Sequence, residues 1–167
     1  MTTASHLVLV GLMGTGKSTV ARVCGLRLQR PVVDTDSELE ARTGRSVRDL
    51  FTDDVDEFRR LESAVLADVL GRVDPLVVAA AGGVVLSETN RQLLRSCGAR
   101  VVWLSALPST LLERVRGAGH RPLLDDDPLG TLTAMYQVRE PLYREVAHAI
   151  VSVDHRSVSE VVEAVLR

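Results

Sequence analysis

A chain of 167 residues suits one domain with a sizeable core and is too short for two. Its hydrophobic fraction of 46% excludes a disordered chain, and a formal net charge of -2 offers no positive field to recruit nucleic acid or an anionic membrane. No apolar run reaches the roughly 18 residues of a membrane span.

The N-terminal MTTASHLVLVG runs straight into a glycine-rich loop, so no removable signal is expected. Cys24 and Cys97 lie in apolar-periodic segments without metal-ligand spacing. Both are expected as buried thiols, in keeping with a cytoplasmic protein.

In chain order, HLVLVG reads as a buried strand and KSTVARVCGLRLQ as a helix, with a glycine-rich loop between them. PVVDTD reads as a second buried strand ending in carboxylates. DSELEARTG and SVRDLF read as short helices, with Gly44 as a helix stop. The amphipathic DEFRRLESAVLADVLGR leads to the strand PLVVAAAGG, the helix ETNRQLLRSCG and the strand RVVWLS. PSTLLERVRGAG is a helix capped by Ser105 or Ser109 and ending at glycines. DPLGTLTAMYQVREPLYREVA is a long helical stretch interrupted at Pro141, AIVSV a last strand, and SVSEVVEAVLR a capped closing helix. The alternation predicts an α/β fold, a five-stranded parallel sheet with helices on both faces. Ligands collect beyond the carboxyl ends of such strands, where the glycine loop, DTD and AGG are expected to converge.

Gly11, Gly16, Lys17 and Ser18 fill the template G-x-x-x-x-G-K-S/T, placed between a strand and a helix. Such a loop turns backbone N–H groups onto phosphate oxygens, sends the lysine to the β- and γ-phosphates and offers the hydroxyl to Mg²⁺. The strand-end pair Asp34 and Asp36 suits phosphoryl transfer, one near the metal and one near an acceptor hydroxyl. It equally suits an ordinary turn with Asp36 or Ser37 as helix cap.

GLMGTGKST, DTDSELEARTGRSVRDLF, EFRRLE, AGGVV, RPLL and REPLYREVA occur in the order and approximate spacing of shikimate kinase, a small P-loop kinase family that the chain resembles over nearly its whole length. The resemblance implies a single domain over 1–167, with a lid at approximately 114–130 and an acceptor-binding segment at approximately 34–62. It implies transfer of the γ-phosphate of ATP to the 3-hydroxyl of shikimate, with Mg²⁺, in a monomer.

The resemblance also assigns residues. Gly14, Thr15, Gly16, Lys17, Ser18 and Thr19 would wrap the nucleotide, and Asp34 would hold the metal through water. Asp36 would bind the acceptor and orient or deprotonate its hydroxyl. Arg59 and Arg139 would grip the substrate carboxylate with Gly82 and Gly83 beside them, and Glu62 would brace Arg59. Arg121 would arrive on the lid, while Arg114 and Arg156 would lie near the nucleotide, Arg156 flanking the adenine. Two guanidinium forks suit a planar carboxylate, and a lid arginine places charge where it develops during transfer.

Plainer readings stand beside these. Arg59 and Glu62, three residues apart, also suit a surface helix pair, Arg139 a helix end, and Arg121 an ordinary loop. The run Asp125 to Asp127 suits a solvated loop tip, and His120 and His155 suit loops. Phe51 and Phe58 suit either the acceptor wall or the core, and Trp103 suits a strand. The family's first glycine after the third strand is replaced by Ala81. An alanine costs roughly 1 kcal/mol or more there if φ is positive, and otherwise only narrows the space. A gluconate or cyclitol kinase of the same fold, a nucleoside monophosphate kinase and a non-catalytic nucleotide-binding protein are the competing readings.

Overall fold

Three short apolar segments, each buried on both faces, fix the centre of the molecule: β1 (Leu7–Val10), β3 (Val77–Ala79) and β4 (Arg100–Ser105). With β2 (Val32–Asp34) and β5 (Ala149–Ser152) they form one parallel sheet in the order β2-β3-β1-β4-β5. The computed structural model describes residues 5–116 and 126–167. Leu9 pairs with Ala79 on one side and Val102 on the other, so the strands either side of β1 arrive from opposite directions in the chain. That switch point opens a crevice at the strands' carboxyl ends. β2 differs from expectation. It is an edge strand, and Val32 is 36% exposed, because only β3 flanks it.

Around the sheet stand α1 (Lys17–Leu28), α2 (Thr35–Thr43), α3 (Val47–Asp53), α4 (Val55–Leu70), α5 (Glu88–Ser96), α6 (Pro108–Arg116), α7 (Pro128–Val146) and α8 (Val158–Leu166). A 3₁₀ turn, Val84–Leu86, follows β3 and had no signature in the sequence. Local chemistry starts these helices. Ser46, Asp54, Ser87 and Asp127 each accept a backbone N–H of the first turn, and Ser157 and Glu160 form a reciprocal capping box. Gly44 closes α2 in the left-handed conformation.

Three expectations about helix ends need correction. α2 is capped by Asp34, which accepts from the N–H groups of Asp36 and Ser37, so the cap lies two residues before the first of those candidates and three before the second. α6 uses neither Ser105, the last residue of β4, nor Ser109, which lies inside the helix. Instead the Leu107 carbonyl accepts from Leu111 N–H at 3.1 Å, and the Asp154 carboxylate accepts from Leu107 N–H. α7 runs unbroken through Pro141, although the ring removes one backbone donor. Cys24 is fully buried as expected, with its thiol pushed up to about 11 by burial, whereas Cys97 caps α5 half-buried. Asp127 caps α7, so that part of the aspartate run is structural. His120, Asp125 and the glycines after α6 lie outside the described residues.

Gly25 lets α1 approach the edge of the sheet. A Cβ there would sit 2.3 Å from Val32 Cγ2 and 3.0 Å from the Arg30 carbonyl. Gly25→Ala is expected to lower stability by about 1 kcal/mol in urea unfolding, the collision outweighing the gain in helix propensity. An unchanged or higher midpoint would mean that β2 yields.

Candidate active site

The loop from β1 into α1 is built for close backbone approach. Gly11 has φ 149°, and a side chain on it would meet the Leu104 carbonyl at 2.5 Å. Gly16 caps α1 with φ 89°, a left-handed conformation that a Cβ disfavours. Lys17 Nζ donates to the carbonyls of Gly11 at 2.8 Å and Leu12 at 3.0 Å, which folds its cation back across the loop. The buried Thr15 hydroxyl donates to the same Leu12 carbonyl at 2.9 Å.

Ser18, at the start of α1, donates from Oγ to Asp34 Oδ2 at 2.5 Å. The other oxygen of Asp34 caps α2. One carboxylate therefore joins the ends of two helices. A cleft of about 260 Å³ lies here, lined by Gly14, Gly16, Lys17, Ser18, Thr19, Asp34 and Asp36. Arg114 packs behind the loop, its Nη1 donating to the carbonyls of Gly14 and Thr15 and its Nη2 to that of Val153, each at 3.3 Å. Arg156 is exposed in the turn after β5, where its backbone N–H also reaches Val153. His155 occupies the same turn with φ 56°.

A larger cavity of about 670 Å³ adjoins this cleft and shares Met13, Lys17 and Asp36 with it. Its far wall is α4 with the glycines after β3. Arg59 donates to both oxygens of Glu62, at 2.8 and 3.1 Å, and Glu62 is only 4% exposed. The pair is therefore not a solvated surface couple. The Arg59 guanidinium also stands 5.1 Å from the Phe58 ring centroid and 5.8 Å from that of Phe51, and the two rings meet edge to face. It lies so close to Gly83 that a Cβ would fall 1.9 Å from Nη1. Both phenylalanines line the cavity, and Phe58 belongs to the core as well.

Arg139, on α7, enters from the opposite side, with Nη1 3.6 Å from where a Gly82 Cβ would be. Glu62 is pushed above the usual carboxylate range by burial, against the pull of Arg59 and then Arg139. Asp36 is pushed up to about 6 by burial and by repulsion from Asp34 and Glu62, with Lys17 opposing.

Ala81, the departure from the family pattern, is buried and absent from the residues with positive φ. Its N–H donates to Thr35 Oγ1 at 2.9 Å, and its methyl lines the cavity. Only space changes at this position.

The structure thus gathers Lys17, Ser18, Asp34, Asp36, Arg59, Gly82, Gly83 and Arg139 around two joined hollows. Arg114 supports the loop from behind, Arg156 sits outside the hollows, and Arg121 lies outside the described residues. Tyr143 escaped the sequence reading. It is 1% exposed, stacks on Trp103 at 5.7 Å and donates its hydroxyl to the Gly82 carbonyl at 2.6 Å. Burial pushes its phenol up to about 12, so the donor proton stays in place. Its place in REPLYREVA, one helical turn after Arg139, was the available hint. Among the described residues no helix is long and apolar enough to cross a membrane, and no three His, Cys, Asp or Glu residues cluster as metal ligands.

A family model described as Shikimate kinase matches residues 13–167. A shikimate kinase of Symbiobacterium thermophilum is 46% identical over 165 residues, covering 96% of this chain and 94% of its own. The solved structure of a shikimate kinase from Acinetobacter baumannii in complex with shikimate is 33% identical, with a TM-score of 0.92 over 98% of this chain and 92% of that one. A gluconokinase from Sinorhizobium meliloti is 21% identical, with a TM-score of 0.67 over 98% and 90%, a likeness of fold.

The raised Asp36 has a consequence for stability. The folded chain holds this proton more tightly than an ordinary carboxyl at 3.8, up to about 6. Folding therefore weakens as pH rises through that window and levels off above it. Asp36→Asn removes the ionised form and should stabilise the free chain by on the order of 2 kcal/mol near pH 8, with little gain near pH 4. Denaturant unfolding at the two pH values checks this, and an equal gain at both would contradict it.

Proposed function

The chain belongs to the shikimate kinase family, and from that premise we propose how its residues transfer the γ-phosphate of ATP to the 3-hydroxyl of shikimate. The observation that carries the assignment of sites is that Asp36 and Lys17 line both hollows, one framed by the phosphate loop and the other by two arginines. Donor and acceptor then meet at those two side chains.

Gly14, Thr15, Gly16 and Thr19 wrap the triphosphate with loop backbone and the first turn of α1, where helix N–H groups favour anions. Lys17 exchanges the Gly11 and Leu12 carbonyls for β- and γ-phosphate oxygens. Arg114 keeps the loop in shape, and Arg156 flanks the base. The acceptor carboxylate takes a fork from Arg59 and another from Arg139, with the N–H groups of Gly82 and Gly83 beside them. Phe51 and Phe58 hold the ring face.

Asp36 then receives the attacking hydroxyl. With its proton lost near 6, it is ionised at neutral pH and more basic than an ordinary carboxylate, which suits it to orient the hydroxyl and accept its proton. Charge accumulates on the transferring group as the bond to the leaving oxygen loosens. Lys17 meets that charge from the loop and Arg121 from the lid at approximately 114–130, over an acceptor segment at approximately 34–62.

Ser18 and Asp34 fit Mg²⁺. The hydroxyl and carboxylate oxygens lie together beside the phosphate loop, and this ion takes few protein ligands and keeps its water. When bound, Mg²⁺ neutralises charge on the β- and γ-phosphates. The proposal extends to a monomer working in the cytoplasm, supported by two free thiols and a net charge of -2 that favours neither nucleic acid nor anionic membrane.

The test is ADP release with shikimate, gluconate, a cyclitol and no acceptor, using wild type and Asp36→Asn. Turnover with shikimate alone is expected, and kcat should fall at least ~100-fold in the variant with the KM for ATP little changed. Comparable rates with gluconate or without acceptor would overturn the substrate assignment. A variant retaining kcat would remove Asp36 from the chemistry.

A further inference from the structure

The reading above leaves unexplained why the motif REPLYREVA carries a tyrosine whose side chain is buried yet ends at the acceptor loop. The Tyr143 hydroxyl reaches the Gly82 carbonyl at 2.6 Å, while its ring is stacked on Trp103 of β4. The guanidinium of Arg139, one helical turn earlier, also interacts with that hydroxyl. The hydroxyl thus touches both of the groups assigned to the acceptor carboxylate from this side of the cavity.

A planar trans peptide turns its N–H opposite to its carbonyl. Holding the Gly82 carbonyl on Tyr143 therefore fixes the direction of the Gly83 N–H, away from α7. Among the described residues, neither Gly82 nor Gly83 donates its N–H to another protein group. Two consecutive donors without a protein partner, on the wall of a cavity also lined by Arg59 and Arg139, form a small anion seat. The atoms nearest a Gly82 Cβ position are the Gly11 carbonyl at 3.2 Å, on the phosphate-loop side, and Arg139 Nη1 and the Tyr143 hydroxyl, each at 3.6 Å.

We propose that Tyr143 is a positioning residue for the acceptor carboxylate, its hydroxyl aligning the Gly82–Gly83 peptide and Arg139 so that backbone and guanidinium converge on one anion. The inference rests on the shikimate kinase reading. Tyr143 touches neither the transferring phosphate nor the attacking hydroxyl, so its effect falls on acceptor binding.

Tyr143→Phe tests this while keeping the ring on Trp103. With shikimate varied at saturating ATP, the KM for shikimate should rise about 5- to 20-fold, the scale of one lost hydrogen bond to an oriented group. The KM for ATP and kcat should stay within about twofold, as uniform loss of acceptor binding requires. Isothermal titration of shikimate should show the same weakening, and Arg139→Ala should weaken it in the same direction.

A variant that loses thermal stability while both KM values and the titration stay at wild-type levels would overturn the inference and leave Tyr143 as packing. So would a fall confined to kcat or to ATP binding. A wild-type chain inert toward shikimate but active on another acceptor overturns the functional reading itself, an outcome distinct from an active wild type with an unaffected variant.

Discussion

A buried carboxylate, Glu62, is the constraint on which the wall of the larger cavity depends. Taking its charge out of water costs several kcal/mol, and only excellent geometry returns that cost. Arg59 binds both oxygens through Nη1 and Arg139 adds attraction from across the cavity, yet burial outweighs both and leaves Glu62 above the usual carboxylate range. The exchange is mutual. Arg59 is held by Glu62, by the faces of Phe51 and Phe58 and by the missing side chain of Gly83, so its guanidinium is already oriented on the cavity wall. Two arginines facing one buried glutamate leave positive charge unspent, and a second carboxylate is the natural partner for it. The same glutamate helps to raise Asp36, so the anion that organises one cavity wall also acts on the carboxylate shared by both hollows.

Asp34 performs the equivalent work on the phosphate side. One oxygen receives Ser18 and the other caps α2, which ties the start of α1 to the end of β2. Asp36 is thereby fixed at the second position of α2, aimed into the space between the two hollows. Because β3 lies between β2 and β1, the phosphate loop, the aspartate pair and the glycines after β3 leave neighbouring strands at the same end of the sheet. Contacts across that junction are short, as the approach of Gly82 to the Gly11 carbonyl shows.

What could be read in the sequence was what contiguous residues carry. The phosphate loop spans nine residues, its glycines and lysine are adjacent, and alternation of strand and helix gave the parallel sheet. Properties that depend on distant neighbours were misread or missed. PVVD looks like a core strand, and only the strand order shows that it is an edge. EFRRLE suits a surface ion pair as well as a braced cavity arginine, and only the packing of α4 against the cavity, which takes Glu62 out of water, decides for the second. Four of the five residues in DTDSE can cap a helix, and the choice of Asp34 depends on Ser18, sixteen positions away. Tyr143 received no role because its hydroxyl partner is 61 residues distant. Ala81 was ambiguous for a local reason: its tolerance depends on a backbone angle that the residue name does not reveal.

The most direct test of the central claim, that acceptor and triphosphate share one cavity bounded by Asp36 and the two arginines, is a crystal structure with shikimate and a non-hydrolysable ATP analogue. The account predicts the shikimate carboxylate between Arg59 and Arg139, and its 3-hydroxyl about 3 Å from Asp36 and about 3 to 3.5 Å from the γ-phosphorus, in line with the leaving oxygen. Shikimate seated with its carboxylate away from both arginines, or with Asp36 out of reach of that hydroxyl, would contradict it.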